Sequence, residues 1–293
     1  MVLTTKKSFP NNEEIVYSRI VGNLGGGVQS TAMMILAAQG RLAIPTWLFA
    51  NVGEDSEHPA TLAYVREILM PYAASNGLAL HELAKRDRNG TIVSLKGFLE
   101  REASRSLTIP VSYEGSTKPG IARRNCTVDF KIKVLCSWLR KDGVTAKAPA
   151  RSAIGISLDE MRRMRSHSAE SIQRLWYPLV EMRLDRTACE GIIRAAGLPV
   201  PHKSACYFCP YHRIGEWKRM AKEEPDLFAK AVDLEQTLSD RSEHLGMGRA
   251  FMNAKRVMLP VLVREAKDGD ADDSPGSCMS GFCESSSGTP PKE

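Results

Sequence analysis

The residues best suited to chemistry lie in Asn23-Leu24-Gly25-Gly26-Gly27-Val28-Gln29-Ser30-Thr31. Three consecutive glycines there separate an apolar stretch, Ile20-Val21, from a helix-like one, Ala32-Met33-Met34-Ile35-Leu36-Ala37-Ala38. That order predicts a strand, a glycine turn and a helix start. Glycines let a backbone come close to a ligand, and the first N–H groups of a helix, which lack intrahelical partners, attract an anion. Ser30 and Thr31 can cap the helix and donate hydroxyls to a phosphate. Phosphate binding is the expected chemistry, with a plain tight turn as the alternative. No Gly-Lys-Ser/Thr follows at Walker spacing, and Gly-x-Gly-x-x-Gly is absent.

A second constellation is Ser204-Ala205-Cys206-Tyr207-Phe208-Cys209-Pro210-Tyr211-His212. Two thiols at Cys-x-x-Cys spacing on a turn bind one metal centre or form a redox pair. Tyr207, Phe208 and Tyr211 supply an apolar wall. Zinc would need two further ligands, with His212 and Cys126 as nominees. An iron–sulfur cluster needs thiolates above all, and Cys126 would then be the third. Cys126 stands in Arg123-Arg124-Asn125-Cys126-Thr127-Val128-Asp129-Phe130-Lys131-Ile132-Lys133, and its cationic neighbours favour a reactive or ligating thiolate.

The other cysteines divide. Cys136 and Cys189 fall on apolar helical faces and are expected to pack inside. Cys278 and Cys283 lie on an acidic tail, either as thiols that swing into the site to relay sulfur or as part of a segment without function. Glu54 and Asp55 are hard oxygen donors that can hold Mg2+ against phosphates, or simple turn residues. Arg123, Arg124, Lys131 and Lys133 can neutralise a phosphate or a nucleic-acid backbone, whereas Arg162, Arg163 and Arg165 are as readily a solvated face. His58 before Pro59 suits a cap or a surface position, and His81, His167, His202 and His244 form no constellation. No Ser-His-Asp or paired-carboxylate pattern is legible.

The elements that must position these groups alternate. Tyr17 to Val21 reads as a strand, and Ile44 to Ala50 as a second that ends in the polar turn Asn51-Val52-Gly53-Glu54-Asp55. Ala60 to Ala73 has helical spacing; Leu78 to Leu83 and Ala153 to Ile156 read as further strands. Asp159 is expected to start a strongly basic helix, and Thr187 to Ala196 another, with Asp185 near its cap and Gly197 as its stop. Such alternation predicts a doubly wound, mainly parallel α/β sheet whose ligands bind beyond the strands' carboxyl ends. Ser104 to Arg124 reads as a long loop over the site, and Ile214 to Met258 as charged and helical. The expected organisation is a nucleotide-binding domain with the cysteine site over 1–213, a helical extension over 214–265 and a disordered acidic tail over 266–293.

The chain has 293 residues, 43% hydrophobic and 25% charged, as in an ordinary globular protein. Its formal charge of +6 is uneven. Residues 101–165 hold 14 Lys/Arg against 6 Asp/Glu, which suggests a nucleotide or nucleic-acid partner or a solvated basic face. The start, Met1 to Pro10, is polar, and no apolar run is long enough to span a bilayer. A cytoplasmic protein without a membrane partner is expected, with its 7 cysteines as ligands or redox thiols rather than disulfides.

The glycine run resembles the pyrophosphate loop, Ser-Gly-Gly-x-Asp-Ser, of the ATP pyrophosphatase (PP-loop) and PAPS reductase superfamily. Gly25 stands where that pattern has its first Ser and Gln29 where it has Asp; the glycine pair and Ser30 are retained. The Cys126 string resembles the Arg-x-Cys-Thr-x-x-Tyr/Phe-Lys-Ile pattern of PAPS-reductase-like proteins of phages and bacteria. Ile154-Gly155-Ile156-Ser157-Leu158-Asp159-Glu160, Tyr177-Pro178-Leu179 and the Cys206–His212 string look like the same group, so the resemblance runs from about residue 20 to about 220.

This resemblance implies an adenine-nucleotide alpha-hydrolase fold. It places ATP or another adenine nucleotide against Gly25, Gly26, Gly27, Gln29, Ser30 and Thr31, with the adenine near Phe49, Ala50 and Asn51 and with Gly155 close by. It implies a [4Fe-4S] cluster on Cys126, Cys206 and Cys209, with zinc as the alternative. The implied activity is ATP-dependent sulfur transfer to a nucleobase in RNA or DNA, fed by sulfide or a cysteine desulfurase. The alternatives are a sulfonucleotide reductase, in which a tail thiol such as Cys283 attacks sulfur, and a zinc-stabilised nucleic-acid-binding protein without catalysis. The Glu-Cys-Gly-Leu-His ending of the reductases is absent; Phe282-Cys283-Glu284 stands instead.

Overall fold

A computed structural model describes residues 16–101, 107–115, 124–165 and 171–266. Five parallel strands form one sheet: β1 (Arg19–Leu24), β2 (Thr46–Asn51), β3 (Ala79–Ala84), β5 (Ala150–Ile154) and β6 (Gln173–Trp176), in the order β3-β2-β1-β5-β6. A separate antiparallel pair joins β4 (Ser112–Tyr113) to β7 (Ala250–Phe251). Parallel strands need crossovers, and these cover both faces of the sheet. On one face lie α1 (Val28–Ala38), the helix begun at Pro59 and the helix Arg186–Ala195, closing a core of Met33, Ile35, Trp47, Phe49, Leu69 and Ile193. On the other, Leu135 and Leu139 of the helix Lys133–Lys141 pack on Val21, Leu48 and Ala150. The expected doubly wound α/β sheet is present.

Element ends shift by a few residues from the sequence reading. β1 runs on to Leu24, through Gly22 and Asn23, because its register is held on both sides by β2 and β5. The helix after His58 continues from Pro59–Ala63 through a π-helical stretch, Tyr64–Leu69, to Met70–Ser75. His58 caps it, its Nδ1 accepting the Ala60 N–H at 3.2 Å. Asp185 caps the helix Arg186–Ala195 through the Ala188 N–H at 2.7 Å, and Gly197 follows it at φ +72°.

Two expectations are corrected. Asp159 starts no basic helix: Leu158–Arg163 is a short 3-10 turn without a side-chain cap, and the Asp159 carboxylate accepts the Arg186 N–H at 3.0 Å, at the start of the helix Arg186–Ala195. Cys126 lies in the first turn of a helix that runs as Asn125–Thr127, a π-helical Val128–Ile132 and Lys133–Lys141. The segment from Ile214 is not helical throughout. Ile214–Glu223 and Pro225–His244 are helices, but Gly246 and Gly248, both at positive φ, turn the chain into β7 before Leu259–Glu265.

The residues after Ile214 share one apolar cluster with Leu95, Leu99, Ile109, Phe130 and the Cys206–Cys209 turn. Glu235, fully buried on the helix Pro225–His244, clasps this segment by accepting the Met252 N–H at 2.8 Å and the Leu259 N–H at 2.6 Å. Burial pushes its carboxyl up to about 7, against the pull of those two amides. Among the described residues no helix is long and apolar enough to cross a membrane.

Candidate functional site

The chain leaves β1 toward β2 and β3 on one side and returns to β5 and β6 on the other, so the sheet's switch point falls between the carboxyl ends of β1 and β5. Ligands of doubly wound sheets bind at that point. Two glycine turns meet there. A Cβ on Gly155, just after β5, would lie 2.9 Å from the Ser30 backbone N and 3.1 Å from its Cα. Gly26 sits at φ +74°, and a Cβ there would meet Thr61 Cγ2 at 2.9 Å. Gly27 is the N-cap of α1 without a side-chain cap bond.

Ser30 and Thr31 are therefore not the caps the sequence suggested: both lie inside the first turn, fully buried. The Ser30 hydroxyl donates to the Gly27 carbonyl at 3.1 Å and accepts the Gly25 N–H at 3.2 Å, folding the loop back on the helix. The first N–H that closes on the loop is that of Thr31, to Gly27 O at 3.0 Å. The amides ahead of it carry the positive end of the helix dipole.

Asn23, Leu24, Gly25, Leu48, Ala50, Lys131 and Leu135 line a pocket over the carboxyl ends of β1 and β2. Asn23 is 4% exposed, yet neither its Oδ1 nor its Nδ2 has a hydrogen-bond partner. A buried amide left so costs free energy until a ligand or water meets it. Sequence reasoning passed over Asn23 because an Asn closing an apolar strand resembles a turn residue. Gln29 is also buried, its Nε2 3.4 Å from Ser157 Oγ and its Oε1 without a partner.

The other residues expected here divide. Ala50 lines the pocket, whereas the Phe49 ring is buried in the core under α1. The Asn51 side chain is spent inside its own turn: Oδ1 accepts the Gly53 N–H at 2.8 Å, and Nδ2 donates to Glu82 at 2.7 Å and Glu54 at 2.9 Å. Glu54 pairs with Arg66, whose guanidinium holds the carboxyl below its ordinary range. Asp55 accepts hydroxyls from Ser56 at 2.8 Å and Ser94 at 2.9 Å. Both carboxylates, for which the sequence left magnesium binding or a turn role open, are engaged within and around the turn. Lys133 is exposed and paired with Asp129 at 2.6 Å. Arg123, His167, Cys278 and Cys283 lie outside the described residues.

The three nominated thiols line a second cavity together. Cys126, Cys206 and Cys209 share it with Val52, Leu95, Ile109, Phe208, Arg124 and Lys131, so apolar walls carry two cations. None of the three is in a disulfide. Backbone contacts place them: the Cys126 N–H donates to Thr108 O at 2.8 Å, and Glu57 bridges Cys206 in antiparallel fashion. The His58 N–H donates to Ala205 O at 3.2 Å, and the Tyr207 N–H to Ser56 O at 3.3 Å.

His212, nominated as a zinc ligand, has another task. Its Nε2 lies 2.9 Å from the Cys206 carbonyl and its Nδ1 3.4 Å from Glu216, so both ring nitrogens are engaged in holding the turn. Among the described residues no three His, Cys, Asp or Glu are placed to hold a metal ion. The three thiols line one cavity together with Arg124 and Lys131, and a donor set of thiols near cations suits an anionic iron–sulfur body. Cys136 is half-buried and accepts the Gln173 Nε2–H at 3.0 Å; Cys189 is fully buried, and desolvation pushes its thiol up to about 12.

Glu216 gives this turn a measurable pH dependence. Burial would raise its carboxyl, but the His212 hydrogen bond and the Lys203 ammonium outweigh that and hold it at about 2. A depressed carboxylate contributes stability that is full above the unfolded value of roughly 4.5 and fades as pH falls toward the folded one. The thermal midpoint of Glu216→Gln should therefore lie below that of the parent at pH 7, with the gap closing between about pH 4.5 and 2. A constant gap across that window would contradict the assignment.

The two cavities have a common wall. Lys131 lines both, and the Ser204 hydroxyl donates to the Gly25 carbonyl, tying the cysteine segment to the glycine loop. Fold and site together define a parallel α/β protein with an anion-suited glycine turn at its switch point and a three-thiol cavity beside it. No protein-family model matches this chain, and no curated protein matches it significantly. Among solved structures it is similar to the U34-tRNA thiolase NcsA from Methanococcus maripaludis with its [4Fe-4S] cluster. That similarity has 15% identity and a TM-score of 0.35, over 76% of this chain and 72% of that one. A likeness so slight carries no argument about chemistry.

Proposed function

We propose that this chain is an ATP-dependent sulfur transferase of the PP-loop type that adenylates a nucleobase carbonyl oxygen and replaces that oxygen with sulfur. The observation that carries this reading is the shared wall: Lys131 lines both the pocket beside Gly25 and the cavity of Cys126, Cys206 and Cys209. The motif resemblance from about residue 20 to about 220 supports the same reading.

In this reading the amides of Gly26 to Ser30 take the triphosphate, Asn23 hydrogen-bonds the nucleotide, and Gly155 leaves the room that lets the loop close. Hard oxygens of the phosphates, rather than Glu54 or Asp55, would supply most ligands to Mg2+. The substrate oxygen attacks the α-phosphorus; the new P–O bond forms as the α–β bridge breaks, and pyrophosphate leaves with the bond's electrons. Lys131 and the helix amides offset the charge that builds on the phosphates in that step. Cys126, Cys206 and Cys209 would hold a [4Fe-4S] cluster, which supplies an iron site able to carry sulfide. Hydrosulfide from free sulfide then displaces AMP at the activated carbon without net redox change; persulfide sulfur from a cysteine desulfurase would first be reduced to that level by two electrons from an external thiol. The basic middle of the chain suits a polyanionic substrate, RNA or DNA.

The test is product analysis with anaerobically purified full-length chain, ATP, sulfide and cellular RNA. The expected result is AMP and pyrophosphate formed in step with a thiolated nucleoside seen by mass spectrometry. Sulfite released from PAPS, lost in Cys283→Ser, would instead identify a sulfonucleotide reductase. Colourless protein with stoichiometric zinc and no ATP turnover would identify a binding protein.

A further inference from the structure

Glu57 is a carboxylate that no step above uses. It is 1% exposed, and neither of its oxygens accepts a hydrogen bond. Its backbone is fixed from two sides: the N–H donates to Gly53 O at 2.9 Å, and the residue bridges Cys206. The Lys131 ammonium lies 3.9 Å from its Oε2, with the lysine side chain 13% exposed. Burying a carboxylate is costly without a counter-charge, and removing one member of a buried pair costs more than replacing both. The pair therefore constrains the lysine as much as the lysine stabilises the carboxylate.

We propose that Glu57 is a positioning residue, whose carboxylate holds the Lys131 ammonium at the seam between the phosphate pocket and the cysteine cavity. Its effect on nucleotide uptake rests on the sulfur-transferase reading; its hold on Lys131 does not. Glu57 reaches the reacting atoms only through the lysine, so its removal should be felt only where the lysine is present.

The experiment is a double-mutant cycle on the full chain, read by thermal unfolding and by equilibrium binding of ATP. Lys131→Met strands the carboxylate and should lower the midpoint by roughly 10 °C, of which Glu57→Gln in the same chain regains a large part. Glu57→Gln alone should weaken ATP binding roughly tenfold, Glu57→Asp should restore part of that loss, and Glu57→Gln should add nothing to Lys131→Met. Glu57→Gln lowering the midpoint equally with and without Lys131 would overturn the proposal. So would a tenfold loss of ATP affinity that persists without the lysine. If the parent chain takes up no adenylate, the sulfur-transferase reading falls, while the unfolding cycle still decides whether Glu57 holds Lys131.

Discussion

Anaerobically purified Cys206→Ser protein should retain less than about a tenth of the iron and acid-labile sulfide of the parent, which itself should carry about four irons per chain. The serine oxygen is isosteric but a poor ligand for a cluster of this softness. The expected loss is large because Cys206 is held on both sides, its carbonyl facing His212 Nε2 at 2.9 Å and its backbone bridged to Glu57, which fixes its place in the cavity wall. Cys126→Ala should behave alike, since the Cys126 N–H is tied to Thr108 O. Cys136→Ala and Cys189→Ala should leave the iron content unchanged, because those thiols lie away from the cavity. Full iron in Cys206→Ser would contradict the three-thiol assignment, and far-UV circular dichroism matching the parent would show that the fold persists.

Gly155→Ala is the second substitution with a large expected effect. The added methyl would come within 2.9 Å of the Ser30 amide nitrogen and 3.2 Å of the Gln29 carbonyl carbon. Those atoms are backbone of the first turn of α1, so the methyl cannot be met by a rotamer change; the loop itself must move. Overpacking of this kind costs about 1–3 kcal/mol in stability. The displaced amides are the ones assigned to the phosphates, so ATP affinity should fall roughly 100-fold while the iron content stays at the parent level. The contrast between the two readouts separates a local shift of the loop from general unfolding. ATP affinity within twofold of the parent would show that this turn does not contact the nucleotide.

The glycine run and the Cys-x-x-Cys turn were legible because each depends on local sequence: three glycines before an apolar helix, and two thiols on a tight turn. The parallel order of the strands was legible for the same reason, since strand and helix periods alternate. What sequence could not show was the long-range pairing that brings residue 57 to residue 206 and residue 131 between two cavities. Lys131 read as one of four interchangeable cations in a basic string. The helix turns it inward and leaves Lys133, two residues on, paired at the surface.

Edge strand β6 escaped because Gln173 and Arg174 interrupt its apolar character, and β4 and β7 because two-residue strands have no period. Glu54 and Asp55 drew attention as acids at a strand's carboxyl end, yet Arg66 and Ser94 engage them. The acid that matters in this account, Glu57, stands two residues further on and carries no signal of its own.

The central claim is that an adenylate's phosphates settle between the glycine turn and Lys131. Equilibrium titration of ATP into the anaerobic full-length chain, beside Lys131→Met, tests it most directly. The account predicts saturable binding of one ATP per chain, weakened at least about tenfold in the variant. Absence of saturable uptake of any adenylate, with or without Mg2+, or equal affinity in the two proteins, would contradict it.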